Sequence, residues 1–205
     1  MLSAFDFYVK SYKWMVLPVW PDSKHPAIED WTDPNRYSTE QLRSYFEDNP
    51  DYNMAILLGE IIDVESDSES GNKFLDKMIG DYKHPKYKSQ KSTHHLFLNP
   101  DGIRHKTFQQ KIEFRGYGCQ SLLPPSKVNN VRYEWCPDSV SKIPSLPPSL
   151  RRFYWHCSNT KNKKRYWCCD CGKECLDSLL KVEKSLKNNK KLRCKDCKNK
   201  IYINA

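Results

Sequence analysis

The sequence predicts an α+β fold followed by a small, basic, cysteine-rich module. Apolar residues recur at helical spacing in some segments and form short continuous runs in others, and the two kinds of segment alternate without an internal repeat. The charge distribution sets the module apart, because residues 151–205 carry 16 Lys/Arg against 5 Asp/Glu whereas residues 1–150 carry 18 against 20. A chain of 205 residues has room for one core and a small appendage.

The first predicted elements follow from apolar spacing, proline and a capping pattern. In residues 5–20, apolar side chains at helical spacing give way to a continuous apolar run. This predicts a short helix running into a strand that Pro18 and Pro21 bring to an end. Ser38 and Gln41 form a capping-box pattern ahead of further apolar residues at helical spacing, which predicts a helix starting after Ser38.

The next segments predict strands and one helix. Residues 53–64 form an apolar run broken by Gly59-Glu60, which predicts two adjacent buried strands meeting at a tight turn, with Asp63 near the end of the second. Further strands are expected at residues 95–98 and 111–114. Between them, one helical face is predicted from the spacing of Phe74, Leu75, Met78 and Ile79.

A proline-rich segment predicts the domain boundary. Residues 137–150 contain too many prolines for a helix or a central strand. We therefore expect a core domain at residues 1–136, a Pro-rich linker and docking segment at residues 137–156, and the basic module at residues 157–205.

Two carboxylates two residues apart form a candidate metal site. Asp63 and Glu65 share one face of the predicted strand, because side chains alternate along a strand. Hard cations such as Mg²⁺ or Mn²⁺ prefer oxygen ligands, and two of them about 4 Å apart can hold both oxygens of a phosphoryl-type displacement. Such a centre normally needs a third carboxylate, and Glu113 is available. Alone, the acidic pair also fits a solvated loop start.

The order of several short motifs points to a family. The motifs are Pro18-Val19-Trp20 with Lys24 and Pro26, Asn53-Met54-Ala55-Ile56 to Gly59, Asp63-Val64-Glu65, His95-Leu96-Phe97, Ile112-Glu113-Phe114-Arg115-Gly116, and Pro124-Pro125-Ser126 with Tyr133-Glu134-Trp135. In that order the chain resembles the N-terminal domain of bifunctional primase-polymerases, in the archaeo-eukaryotic primase superfamily, from Phe5 to about Trp135. The resemblance implies a two-lobed, RRM-like catalytic core.

The resemblance also implies roles for individual residues. Asp63, Glu65 and Glu113 correspond to the metal ligands, and His95 corresponds to the histidine that contacts the phosphates of the incoming nucleotide. His94 points to the opposite face of the strand, so only one of the two histidines can serve the site. We select His95 because the following Leu-Phe-Leu matches the family segment. Arg115 shares the face of Glu113, where it could hold a phosphate or pair with a carboxylate.

One departure from the family pattern precedes His95. The family often carries a Ser-Gly-Gly turn there, whereas this chain has Lys91-Ser92-Thr93. We expect the hydroxyls of Ser92 and Thr93, or Lys91, to bind the nucleotide in place of backbone N–H groups. If they do not, nucleotide affinity is impaired, which favours a degenerate, non-catalytic version of the fold.

Four cysteines in two pairs predict a structural zinc site. Cys168-x2-Cys171 and Cys194-x2-Cys197 supply four thiolates, which Zn²⁺ binds tetrahedrally with no open position. Cys169 and Cys175 are alternative ligands. A lysine-rich helix is expected between the pairs, with apolar residues at Leu176, Leu179 and Leu180. The resulting zinc-ribbon-like module is expected to bind nucleic acid, although a zinc staple that only stabilises the tail fits as well.

These observations favour a DNA primase/polymerase that catalyses template-directed, metal-dependent nucleotidyl transfer. The expected partners are a single-stranded DNA template and NTP or dNTP, with a separate helicase because the chain lacks a Gly-x4-Gly-Lys-Ser/Thr phosphate loop. The alternatives are a non-catalytic replication or transcription accessory factor and a metal-dependent nuclease. No apolar run is long enough to span a bilayer and no secretory leader is recognised, so a soluble, intracellular protein is expected, in cytoplasm or nucleus.

Overall fold

A computed structural model describes residues 1–159, 165–167 and 174–176. It contains both helices and antiparallel sheets, in agreement with the predicted α+β class. No helix in the described ranges is long and apolar enough to cross a membrane. In chain order, the elements are α1 (Leu2–Phe7), a π-helical turn (Tyr8–Tyr12), β1 (Val16–Val19), α2 (Thr39–Asp48), β2 (Asn53–Leu57), β3 (Ile61–Ser66), α3 (Glu69–Ile79), β4 (Lys86–Lys88), β5 (Thr93–Leu98), β6 (Lys106–Thr107), a 3-10 turn (Gln109–Lys111), β7 (Ile112–Arg115), β8 (Gln120–Leu122), β9 (Lys127–Val128), β10 (Val131–Arg132), β11 (Glu134–Trp135), α4 (Pro148–Asn159), β12 (Arg165–Trp167) and β13 (Glu174–Leu176).

The described chain forms two compact units. The first comprises Met1–Glu65, Lys83–Thr107 and Glu113–Ser145. The second comprises Ser66–Tyr82, Phe108–Ile112 and the residues from Leu146 onward. The domain boundaries at residues 136 and 156 remain a prediction.

The N-terminal helices of the first unit form as the sequence predicts. The capping box of α2 is present, because the Gln41 backbone N–H donates to Ser38 Oγ at 3.2 Å and the Ser38 N–H donates to Gln41 Oε1 at 2.8 Å. These bonds satisfy donors that a helix start otherwise leaves unpaired. The buried Phe46 of α2 packs against Phe5 of α1, with ring centroids 5.1 Å apart.

Two sheets organise the first unit. A three-stranded sheet has the order β1-β2-β8, and a six-stranded sheet has the order β11-β4-β5-β3-β7-β6. The consecutive strands β2 and β3 meet at a short turn that includes Gly59-Glu60, as predicted, but they lie in different sheets and are not neighbours in either. Each of the two strands is nearly fully buried and has a partner strand on both sides. A continuous apolar run therefore indicates burial, but it does not show which strands pair with each other.

Two α-helices lie in the described part of the second unit. The buried residues of α3 include Phe74, Leu75, Met78 and Ile79, which confirms the predicted face. Phe74 packs against Phe153 of α4, with ring centroids 5.2 Å apart. Pro148 begins α4, a position where its missing N–H costs no helical hydrogen bond.

The C-terminal module is described only at two strands. β12 and β13 pair antiparallel, with Tyr166 opposite Cys175. Leu176 lies in β13, so the helix predicted between the cysteine pairs does not include it. Cys168, Cys171, Cys194 and Cys197, the predicted zinc ligands, lie outside the described residues, as does Cys169.

Candidate active site

Strand register determines which side chains of the six-stranded sheet converge. β3 and β5 pair antiparallel, with Asp63 opposite Leu96 and Val64 opposite His95. Directly paired residues share a face of the sheet, and side chains alternate along each strand. Asp63 and Glu65 therefore face the same side as Leu96 and His94, whereas His95 faces the other side.

Asp63, Glu65 and His94 form a buried cluster on that face. His94 Nδ1 donates to Asp63 Oδ2 at 2.7 Å, and His94 Nε2 lies 3.3 Å from Glu65 Oε2. All three side chains are at most 9% exposed. One ligand atom from each residue lies within 4.8 Å of the others, so this group could hold a metal ion.

Four neighbouring side chains hold this cluster in place. Ser121 of β8 donates to Asp63 Oδ2 at 2.5 Å, which ties the three-stranded sheet to the site. Ser92 donates to Glu65 Oε2. Arg115 of β7 contacts Glu65 Oε1 at 3.1 Å. Tyr87 of β4 is fully buried and stacks on the imidazole of His94, with ring centroids 4.6 Å apart and planes 8° from parallel.

The cluster shifts the pKa values of its members in opposite directions. Burial opposes ionisation of Asp63, but the charge and hydrogen bond of His94, with Arg115 and Ser121, outweigh burial and lower the pKa of Asp63. Burial dominates at Glu65 and raises its pKa, with the nearby charge of Asp63 acting in the same direction. Burial also opposes the charged form of His94, yet Asp63 and Glu65 raise its pKa above the ordinary value. The two carboxylates beside His94 are thus the cause of its raised pKa.

The donor set fits a bound divalent cation. Asp63 Oδ1 is buried and has no hydrogen-bond partner among the residues that the structure describes. An unpaired buried carboxylate oxygen is costly, and a cation ligand would satisfy it. Two carboxylates and one imidazole suit Mn²⁺ and accept Mg²⁺ less readily, because Mg²⁺ prefers oxygen ligands only.

The structure places His94, rather than the predicted His95, beside the two carboxylates. His95 lies away from the carboxylates and is hydrogen-bonded to His84, with Nδ1 of His95 2.8 Å from Nε2 of His84. Burial, followed by the charge of His84, lowers the pKa of His95 to about 3. The family segment fixed the position of the histidine pair, but the pairing of β3 with β5 decides which of the two reaches the site.

The other predicted site residues are placed as follows. Arg115 and Glu113 share the face that meets Glu65, and Arg115 Nε lies 3.3 Å from Glu113 Oε2. Glu113 is 31% exposed and is not a member of the 4.8 Å group. Ser92 reaches Glu65, whereas Thr93 precedes His94 on the opposite face of β5.

Sequence reasoning missed Ser121 and Tyr87. Ser121 gave no signal, because it lies in a short strand far along the chain from Asp63. Tyr87 gave a weak signal, because an aromatic residue between two lysines follows the apolar-polar alternation of a half-buried strand. Its position opposite His94 depends on the pairing of β4 with β5.

Buried, neutral His95 makes stability depend on pH. The unfolded chain protonates this residue below about pH 6.5, whereas the folded chain does so only near pH 3. The stability that neutral His95 contributes is therefore complete above about pH 6.5 and is lost as the pH falls toward 3. Between about pH 7.5 and about pH 5.5, we expect the difference in free energy of unfolding between the wild type and His95→Gln to shrink by about 1.4 kcal/mol. Urea unfolding at both pH values measures it, and an unchanged difference would contradict the buried neutral state.

One comparison with known proteins gives a match. Residues 6–149, more than two thirds of the chain, match the family model described as bifunctional DNA primase/polymerase, N-terminal. A search of curated proteins finds no significant match. The matched range contains every residue of the cluster described above.

Proposed function

Because this chain belongs to the bifunctional DNA primase/polymerase N-terminal family, we propose that it synthesises primers by template-directed, metal-dependent nucleotidyl transfer. In this reaction a 3′-hydroxyl attacks the α-phosphate of an incoming NTP or dNTP and pyrophosphate leaves. The proposed partners are a single-stranded DNA template, the nucleotide and a separate helicase. The proposed fold is the two-lobed primase core.

The convergence of Asp63, Glu65 and His94 carries this proposal. Their ligand atoms lie within 4.8 Å of one another on a face that also presents Arg115. A bound Mn²⁺ or Mg²⁺ would supply Lewis-acid stabilisation of charge on the reacting phosphate. Glu113 is the proposed third carboxylate of a two-metal centre, since it is connected to Glu65 through Arg115.

Four side chains around the two carboxylates have positioning tasks in this reaction. His94 and Ser121 fix the orientation of Asp63 through Oδ2 and leave Oδ1 available. Ser92 fixes Glu65. Arg115, which is 28% exposed, provides a permanent positive charge for a triphosphate, because a guanidinium binds phosphate oxygens in pairs.

A primer-synthesis assay tests the proposal. Wild-type protein is incubated with single-stranded DNA and labelled ATP or dATP, with Mg²⁺ and Mn²⁺ supplied in turn. We expect labelled products longer than a dinucleotide that require both the template and the metal. Template binding without synthesis under every metal would reject catalysis, and degradation of labelled DNA without nucleotides would indicate a nuclease.

One observation favours a second candidate, a non-catalytic accessory factor that binds nucleic acid. Both oxygens of Glu65 are already engaged, Oε1 by Arg115 and Oε2 by Ser92 and His94. The negative charge is thus largely balanced without a cation. Retained DNA binding together with no measurable metal binding would support this candidate.

We propose that the two cysteine pairs bind one structural Zn²⁺ per chain. Cys168→Ser combined with Cys194→Ser is expected to abolish zinc binding, because each substitution removes a thiolate from a four-ligand site. Elemental analysis of the purified protein measures the stoichiometry. Cys136→Ser, at a buried position of the first unit, is the matched control and is expected to retain zinc. Unchanged zinc content in the double variant would contradict this ligand set and favour Cys169 or Cys175.

A further inference from the structure

Arg115 connects two carboxylates of the candidate active site. Its Nη1 lies 3.1 Å from Glu65 Oε1, and its Nε lies 3.3 Å from Glu113 Oε2. One guanidinium therefore contacts two carboxylates, that of Glu65 in β3 and that of Glu113 in β7, the strand that also contains Arg115. The planar fork of donors makes this double contact possible, and a lysine ammonium cannot reproduce it.

The bridge that Arg115 forms between Glu65 and Glu113 occupies oxygens that a cation would use. Of the four carboxylate oxygens of Asp63 and Glu65, only Asp63 Oδ1 lacks a partner among the described residues. A cation that takes Glu65 as a ligand must therefore compete with Arg115, with Ser92 or with His94. The permanent positive charge of Arg115 also repels an incoming cation.

Arg115 is the competitor that can leave. His94 is about 5% exposed and stacked under Tyr87, and Ser92 is buried beside it. Removing either from the carboxylates would leave a buried polar group unpaired. Arg115 is 28% exposed on a long side chain, so its guanidinium can turn toward solvent and remain hydrated.

We propose that Arg115 couples nucleotide binding to metal binding by releasing Glu65 and Glu113 when it turns to the phosphates of the nucleotide. In the absence of nucleotide, the bridge holds both carboxylates and weakens the site for a cation. A triphosphate attracts the guanidinium, and the two freed carboxylates then attract the cation. The coupling is reciprocal, since each ligand raises the affinity for the other by the same factor. This inference rests on the proposed function.

The first part of the proposal is that the contacts of Arg115 with Glu65 and Glu113 weaken metal binding when no nucleotide is bound. Manganese binding without nucleotide tests this part. The probe is Mn²⁺ alone, and the readout is the loss of the free-ion electron paramagnetic resonance signal during titration. Arg115→Gln is expected to bind Mn²⁺ about tenfold more tightly than the wild type, because a charge-assisted bridge no longer competes. Arg115→Lys keeps the charge without the double contact and is expected to fall between the two. Arg104→Gln removes the same charge from an exposed position and is expected to match the wild type.

The second part of the proposal is that Arg115 leaves the two carboxylates when it binds the phosphates of the nucleotide. Nucleotide binding without metal tests this part. In excess chelator, Glu113→Gln is expected to bind dATP several-fold more tightly than the wild type, because one of the two groups that restrain Arg115 is weakened. Arg115→Gln is expected to bind dATP more weakly. If Glu113 acted solely as a metal ligand, Glu113→Gln would leave metal-free dATP binding unchanged.

The inference is overturned if Arg115→Gln binds Mn²⁺ no more tightly than the wild type, or if Arg115→Lys equals the wild type while Arg115→Gln is tighter, which would assign the effect to charge alone. Circular dichroism of each variant confirms folding. Failure of the proposed function has a different signature, since the wild type would then incorporate no nucleotide whatever the Mn²⁺ affinities of the variants.

Discussion

Asp63→Asn is expected to reduce nucleotide incorporation at least about a hundredfold. The substitution keeps the shape of the side chain but removes the charge on Oδ1, the one buried carboxylate oxygen left without a partner. A metal ligand stabilises the transition state by several kcal/mol, which corresponds to at least two orders of magnitude in rate. The measurement is primer synthesis under single-turnover conditions at saturating nucleotide.

Two controls separate chemistry from folding in this experiment. Ser121→Ala removes a hydrogen bond to Asp63 Oδ2 but leaves the carboxylate, so we expect a loss of about 1 kcal/mol of stability and activity within about tenfold of the wild type. Asp67→Asn makes the same chemical change at an exposed position and is expected to have no effect. Asp63→Asn itself is expected to lose about 3 kcal/mol of stability, since it weakens the buried contact between His94 and position 63. Assays below its melting temperature are therefore required, and full activity in a folded Asp63→Asn protein would contradict a catalytic role.

The two neighbouring histidines are expected to give opposite results. His94→Gln should lower incorporation by about 10²-fold or more, because His94 contacts Asp63 at 2.7 Å and Glu65 at 3.3 Å and orients both carboxylates. His95→Gln should leave the turnover number within a few-fold and lower the melting temperature, because His95 contacts His84 on the opposite face. Rates and thermal melts of the two purified variants provide the comparison.

The two histidine variants also test which of the two histidines serves the active site, the one assigned by the family motif or the one placed there by the structure. The motif assigns the phosphate-contacting histidine to position 95, whereas the register of β3 and β5 brings position 94 to the carboxylates. A large rate loss in His95→Gln with an active His94→Gln would support the motif and contradict the register.

Much of the local structure could be predicted from short-range rules. The capping box at Ser38 and Gln41 identified the start of α2, because its two hydrogen bonds join residues three positions apart. The apolar spacing of Phe74 to Ile79 identified the buried face of α3 for the same reason. The apolar run from residue 53 to residue 64 predicted two buried strands, but it did not show that they belong to different sheets.

The sequence by itself determined the start of α2, the buried face of α3, the carboxylate pair Asp63 and Glu65, and the family, because capping, periodicity, alternation along one strand and the order of motifs are local properties of the chain. Only the tertiary structure decided that His94 meets this pair, that Ser121 and Tyr87 support it, and that Arg115 links Glu65 to Glu113. The contacts with the carboxylate pair join distant residues, since His94 lies 31 positions from Asp63, Arg115 lies 50 positions from Glu65, and Ser121 lies 58 positions from Asp63. Pairing between distant strands depends on the packing of both sheets, and a shift of one residue in register would turn every one of these side chains to the opposite face.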